Sequence, residues 1–271
     1  MDKTTRFLQK ASAILLIFAI NSIVLASSEK KVAARSIPKT LIIGVDDADH
    51  YPEYSFKGSD TSRARDDHGA AWEILAAFAQ DAQIKIEFRA LPSHKLDEDL
   101  RNGKIDFKFP DHPDTHLDVS TADSRVYSMT VLEAIEGLMV APENKGKSRE
   151  QIKTIATPAG TTAWNYLDDV KNGKIEILEF PSVPGAIAAV LSGKAYALYV
   201  NIAMGRHHWS QSPAAATSPK LVFDRELPFL RTSYQLSTIK NPDLIKKLDI
   251  FLASHASELA KINGKFGLES E

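Results

Sequence analysis

Cysteine is absent from the 271 residues. Its absence excludes disulfides, thiolate catalysis, cysteine-ligated zinc or iron–sulfur centres, and a lipid anchor on an N-terminal cysteine. Charge of one sign is lacking too: 33 Lys and Arg face 35 Asp and Glu, a net −2. No basic excess exists to hold a phosphate backbone, so nucleic acid is not an expected partner. The chain contains no nucleophile elbow, no phosphate-cradling glycine loop, no zinc-protease helix and no Gly-x-Gly-x-x-Gly. Long apolar runs are missing except at the N-terminus. What is present is an ordinary globular mixture, 44% hydrophobic and 25% charged, which excludes disordered, collagenous and polytopic membrane classes.

The first 26 residues have the layout of a secretory signal. Lys3, Arg6 and Lys10 precede an apolar run from Ala11 to Leu25, and Val24-Leu25-Ala26 leads into Ser27-Ser28-Glu29. Cleavage is expected near Ala26. The run is about 15 residues, short of the roughly 20 that span a bilayer. The mature protein is therefore expected to be soluble outside the cytoplasm. Residues 27–39 are polar and basic and are expected to form a flexible leader.

Beyond it, strand and helix patterns alternate. Leu41–Val45 is a continuous apolar run, as a strand buried on both faces requires. Trp72, Leu75, Phe78, Ala79 and Ala82 recur at helical spacing, with Asp66 or Asp67 placed to cap that helix. Ile84-x-Ile86-x-Phe88 alternates as a strand, Ser93 opens a short helix through Leu96 and Leu100, and Ile105, Phe107 and Phe109 alternate again before Pro110. A second series follows: strands at Ile135–Val140, Thr154–Thr157, Ile175–Ile177 and Ala195–Val200, and helices at Trp164–Lys171 and Val183–Leu191. A last helix starts at Pro242, a favoured first helical position. Two such series predict an α/β protein with two lobes built on parallel-type sheets.

Chemistry-bearing residues cluster after the strands. Asp46 ends the first strand and leads into Tyr51, Tyr54 and Phe56. In open α/β sheets ligands bind outside the carboxyl ends of strands, and aromatic walls beside carboxylates make a small-molecule pocket. Packing at the lobe edge is the alternative for each ring. Gly160-Thr161-Thr162 lies between a strand and a helix, where N–H groups and two hydroxyls favour an anionic group or a simple cap. His112 and His116 are four apart, but Pro110 and Pro113 oppose a helix through them, so no metal site is expected. No cofactor is expected either. Trp209 is expected to pack rather than to close a groove.

In order and spacing these segments resemble the extracytoplasmic solute-binding proteins of polar amino acid importers, the bacterial solute-binding protein family 3. The resemblance rests on the signal, Leu41–Val45 with Asp46 and the aromatic loop, Gly69 with Ala70–Asp81, and Leu100-Arg101-Asn102-Gly103-Lys104-Ile105-Asp106. It continues through Ala159-Gly160-Thr161-Thr162 and Leu191-Ser192-Gly193-Lys194 to the terminal helix. It implies an α/β, two-lobe periplasmic-binding-protein (type II) clamshell with the ligand cleft between lobes. Lobe one would hold 40–130 and 229–271, and lobe two 131–228. The chain would act as a periplasmic monomer, capturing a small polar ligand for an inner-membrane ABC permease, without enzymatic activity. A sensory or accessory subunit acting on a partner protein, or a fold recruited as a dehydratase-like secreted enzyme using Asp111, His112 or His50, are the alternatives.

Two departures from the family pattern stand out. Amino acid binders carry a carboxylate-gripping Arg after the Gly-Lys-x-Asp strand. Here that place falls at Asp118, with Arg125 the nearest arginine. They also end a lobe-two strand in an Asp that pairs with the ligand ammonium, where this chain has Asn201. Without the bidentate fork and the carboxylate, the α-amino acid clamp is not visible. The expected guest is not a standard α-amino acid. It is a polar neutral or cationic compound held by Asp46, Asp111 and Asn201 and stacked on Tyr51, Tyr54 or Phe109.

Overall fold

The computed structural model describes residues 40–56, 68–116 and 124–268. The expected signal peptide, its cleavage at Ala26, the leader, the caps Asp66 and Asp67, and Asp118 lie outside the described residues.

The first half builds one lobe. Strand β1 (Thr40–Asp46) is followed by a small hairpin, β2 (Asp49–His50) and β3 (Tyr54–Ser55). Then come α1 (Ala70–Asp81), β4 (Lys85–Leu91), α2 (Ser93–Arg101), β5 (Phe107–Asp111) and β6 (Val126–Tyr127). Strand β1 pairs parallel with both β4 and β5, so its continuous apolar run is covered on both faces. One face meets α1, where Ile74, Leu75 and Phe78 pack with Val45, Phe107 and Phe109. The other meets α2 through Leu96, Leu100 and Ile105. Burying a side chain such as Phe109, 0% exposed, stabilises by roughly 1.5–3 kcal/mol.

The second half repeats the scheme with β7 (Leu132–Val140), β8 (Thr154–Pro158), α3 (Leu167–Lys171), β9 (Glu176–Phe180), α4 (Val183–Leu191) and β10 (Ala197–Asn201). Strands β8, β9 and β10 are parallel, and β7 closes them antiparallel. Helix α5 (Ile202–Gln211), strand β11 (Val222–Phe223), strand β12 (Leu230–Thr238), α6 (Pro242–Ser254) and α7 (Ala256–Lys265) complete the chain. Apolar side chains fill both faces of this sheet. Ile187, Val190, Leu198 and Trp209 lie on one, and Leu138, Ile155, Tyr166 and Tyr199 on the other. Trp209 thus packs, as expected.

The strand order is β4-β1-β5-β12-β7-β10-β8-β9. Strand β12 stands at the seam. Its first half pairs with β7 from Leu230 to Tyr234, and its second half with β5 and β6 through Gln235, Ser237 and Thr238. The terminal helices α6 and α7 return to the first lobe, with Ile245, Leu248 and Phe251 in its core. The last helix is thus two, since α6 ends at Ser254 and α7 restarts at Ala256.

The start of α1 differs from expectation. Its N-cap is Gly69, with no side-chain cap. The first free N–H groups are met by the hairpin: Ala70 N–H donates to Pro52 O (3.0 Å) and Ala71 N–H to Glu53 O (2.9 Å). Gly69 has φ +84°, and a Cβ there would lie 2.8 Å from the carbonyl oxygens of Pro52 and Glu53, so only glycine permits the approach. The expected helix at Trp164 begins as a 3-10 turn (Trp164–Tyr166) and becomes the five-residue α3.

Candidate functional site

Asp46 organises the turn at the end of β1. Its Oδ1 accepts from Ala48 N–H (2.9 Å), and its Oδ2 accepts from Ser93 Oγ at the start of α2 (2.6 Å). The hairpin then carries the aromatic run. Tyr51 is half-buried and meets His207 of α5 edge-on, with centroids 4.6 Å apart. Tyr54 and Phe56 are 3% and 5% exposed. Tyr54 makes T-shaped contacts with Phe109 (5.9 Å) and Tyr234 (5.8 Å), and Phe56 stacks on Phe88 (5.0 Å). Tyr54, Phe56 and Phe109 therefore spend their faces on the lobe-one core. Tyr51 packs at the edge of that core, with Phe266 a second edge-on neighbour at 6.2 Å.

Asp111 belongs to a separate buried cluster. Arg125 Nη1 lies 2.9 Å from its Oδ2 and 2.8 Å from Asp97 Oδ1. Lys108 Nζ lies 3.2 Å from Asp111 Oδ1 and 3.0 Å from Asp97. Ser237 Oγ (2.5 Å) and His112 N–H (3.0 Å) also donate to Asp111. An ionised carboxylate has about four acceptor sites, and these donors fill them. Asp111, expected to hold a guest, ties α2, β5 and β12 together in this geometry. Burial works against ionisation of Asp97, but the hydrogen bonds from Arg125 and Lys108 outweigh it and hold its pKa below the usual carboxylate range. Arg125, the nearest arginine to the family's ligand fork, is thereby engaged inside lobe one.

Asn201 faces the other lobe. It ends β10 and caps α5, its Oδ1 accepting from Met204 N–H (3.1 Å). Its Nδ2 donates to Glu53 Oε1 (2.8 Å), so one hydrogen bond joins the hairpin of lobe one to the β10–α5 corner of lobe two. Glu53 is 1% exposed, and among the described residues its Oε2 has no hydrogen-bond partner. Burial pushes its pKa up to about 7, against the hydrogen bond from Asn201 and with help from the charge of Glu136. Glu136 lies opposite Asn201 in the β7–β10 pairing, and burial raises its pKa too. Two carboxyls with a reluctance to ionise and one amide thus meet at the lobe junction, with Tyr234 of β12 beside them. The nearby α5 histidines, His207 and His208, have pKa values lowered mainly by burial, with the charge of Asp49 opposing.

Glu53 was not among the expected site residues. Its one available signal is a lone carboxylate inside the apolar and aromatic stretch Tyr51-Pro52-Glu53-Tyr54.

Thr161 and Thr162 sit on the lobe-two loop, half-buried and exposed respectively. Thr161 N–H donates to Pro158 O (3.0 Å), Trp164 N–H to Thr162 O (2.9 Å) and Gly160 N–H to Glu179 Oε1 (3.3 Å). The N–H groups of Gly160, Thr161 and Trp164 are thus occupied within the protein. Trp164 beside it is 59% exposed, a large ring facing water that sequence reasoning did not single out.

Among the described residues no group of three or more His, Asp or Glu side chains could hold a metal ion. His112 accepts from Asp114 N–H (3.2 Å), and the side chain of His116 lies outside the described residues. No described helix is long and apolar enough to cross a membrane.

No family model matches the chain, and no curated protein matches it by sequence. Solved structures do. An ancestral cationic amino acid solute-binding protein is 21% identical over 84% of this chain and 95% of its own, with a TM-score of 0.61. The second substrate-binding domain of GlnP from Lactococcus lactis, in an open conformation, is 16% identical over 86% and 98%, with a TM-score of 0.62. The L-cystine solute receptor of Neisseria gonorrhoeae, unliganded and open, is 16% identical over 84% and 92%, with a TM-score of 0.61. The chain therefore has the mixed α/β, two-lobe fold of the type II periplasmic binding proteins.

Proposed function

We propose that the protein is an extracytoplasmic solute-binding protein that captures a small polar molecule between its lobes for an ABC-type importer, and that this molecule is not a standard α-amino acid. Fold likeness to solute-binding domains supports the general role, although fold alone does not fix function. The observation that carries the specific reading is the junction between lobes. There an amide, Asn201, hydrogen-bonds the buried Glu53, while Arg125 is tied to Asp97 and Asp111. Arg125, so engaged, is not a fork for a ligand carboxylate, and the amide Asn201 offers an α-ammonium no opposite charge.

We take the half-buried ring of Tyr51, the hydroxyls of Thr161 and Thr162 with the exposed Trp164, and Asn201 as the surfaces a guest would meet. This set favours a neutral or cationic compound with a flat portion for Tyr51 and polar groups for the two hydroxyls and the amide. Hinge closure over the guest would present both lobes to a permease. The protein acts as a binder, not an enzyme, and as a periplasmic monomer.

Titration calorimetry against a panel of amino acids and of neutral or cationic polar compounds tests this. Saturable binding from the second group, weakened about tenfold or more by Tyr51→Ala and without turnover of the ligand, is expected. Submicromolar binding of an unmodified α-amino acid would overturn the ligand class, and turnover would overturn the binder.

A further inference from the structure

A second opening lies away from Asp46, Thr161 and Thr162. It is a cavity of about 490 Å³ between α5 of lobe two, the chain entering β7, and helices α6 and α7 of lobe one. Leu132, Ile135, Ile202 and Leu259 give it apolar walls, and Glu53 and Asn263 add polar groups. Among the described residues, the Oε2 of Glu53 and the Oδ1 of Asn263 are both buried without a hydrogen-bond partner. Two orphaned acceptors in one cavity are costly unless something donates to them.

We propose that this cavity is a second binding site, and that it takes a small amphiphilic amine whose apolar body lies against α5 and α7 and whose ammonium group donates to Glu53 and Asn263. The volume falls within the range of roughly 300–1,000 Å³ typical of small-molecule sites. It is far larger than the roughly 30 Å³ of one water. Acceptors without donors select a donor-rich head, which an ammonium is. Arg206 and Glu133 bring one charge of each sign to the lining, so they leave a cation without net repulsion and Glu53 adds a further carboxyl. The site does not depend on what fills the groove, because Glu53 holds Asn201 through its other oxygen. An occupant would touch both lobes and so bear on their relative movement.

The test uses the mature chain, titrated with 2-phenylethylamine and its neutral counterpart 2-phenylethanol, followed by calorimetry and backbone NMR. The amine should bind saturably, about tenfold tighter than the alcohol, with shifts centred on α5 and α7. Glu53→Gln should remove that preference. Ala260→Phe, on the cavity wall of α7 and away from Glu53, should abolish binding of the amine while the circular dichroism spectrum and binding in the groove persist. Absence of saturable binding, equal binding of amine and alcohol, binding unchanged by Ala260→Phe, or shifts confined to the loops at Asp46 and Thr161 would each overturn the proposal. In the first case the cavity holds water only.

Discussion

Glu53 is the residue on which the site turns. A carboxyl whose folded pKa stands at about 7, above its unfolded value, binds its proton more tightly in the folded state. Its contribution is most favourable below about pH 4.5 and is lost as pH rises toward about 7. Glu53→Gln keeps an acceptor for Asn201 and removes the charge. The variant should gain on wild type as pH rises from 4.5 to 8, by up to about 3 kcal/mol at pH 8, in paired urea titrations at several pH values. A constant difference across that range would contradict the assignment. Other groups pull the other way in both proteins: burial lowers the pKa of His50 against the charges of Asp46 and Asp49, so acid costs stability there. Only the difference between variants isolates Glu53. Residue-level chemistry was the least legible part of the sequence. Hydropathy shows that Tyr54, Phe56 and Phe109 can be buried, but not whether they line a groove or fill a core. Asp111 looked available because two of its donors, Arg125 and Ser237, lie 14 and 126 residues away in the chain.

Elements with one dominant period were plain in the sequence. The continuous run of β1, the helical spacing of α1 and the alternation into β5 all reappear in the structure. Strand β12 and helix α5 were missed for physical reasons. The segment Leu230–Thr238 is half polar because it is only fully buried over its last three residues, so no clean alternation marks it as a strand. Helix α5 carries adjacent histidines and a glycine, which blur its apolar stripe. Two predictions belong at this scale. Gly69→Ala forces a Cβ against the hairpin carbonyls at positive φ and should cost about 1–3 kcal/mol of unfolding free energy, read from denaturant midpoints. Asp111→Ala leaves Lys108 and Arg125 buried beside Asp97 alone and should cost about 3–5 kcal/mol in the same measurement. A surface-like loss below about 0.5 kcal/mol would show that the cluster does not tie its strands.

For the whole molecule, two alternating series were enough to give two α/β lobes, because each series must bury its own sheet between helices. A guest that binds only the folded chain stabilises it by mass action. At about 100 times its Kd the gain is about 2.7 kcal/mol, or roughly 5–10 °C in Tm for a chain this long. Thermal scans across the same compound panel should therefore single out the guest, with standard α-amino acids leaving Tm unmoved.

Because β12 gives its first residues to one sheet and its last to the other, neither half of the molecule is self-sufficient. Expressing residues 40–130 and 131–228 as two separate fragments should yield aggregation-prone pieces with raw sheet edges. Adding the segment 229–271 back should rescue them jointly, and a reporter split at that seam would glow only when all three are assembled.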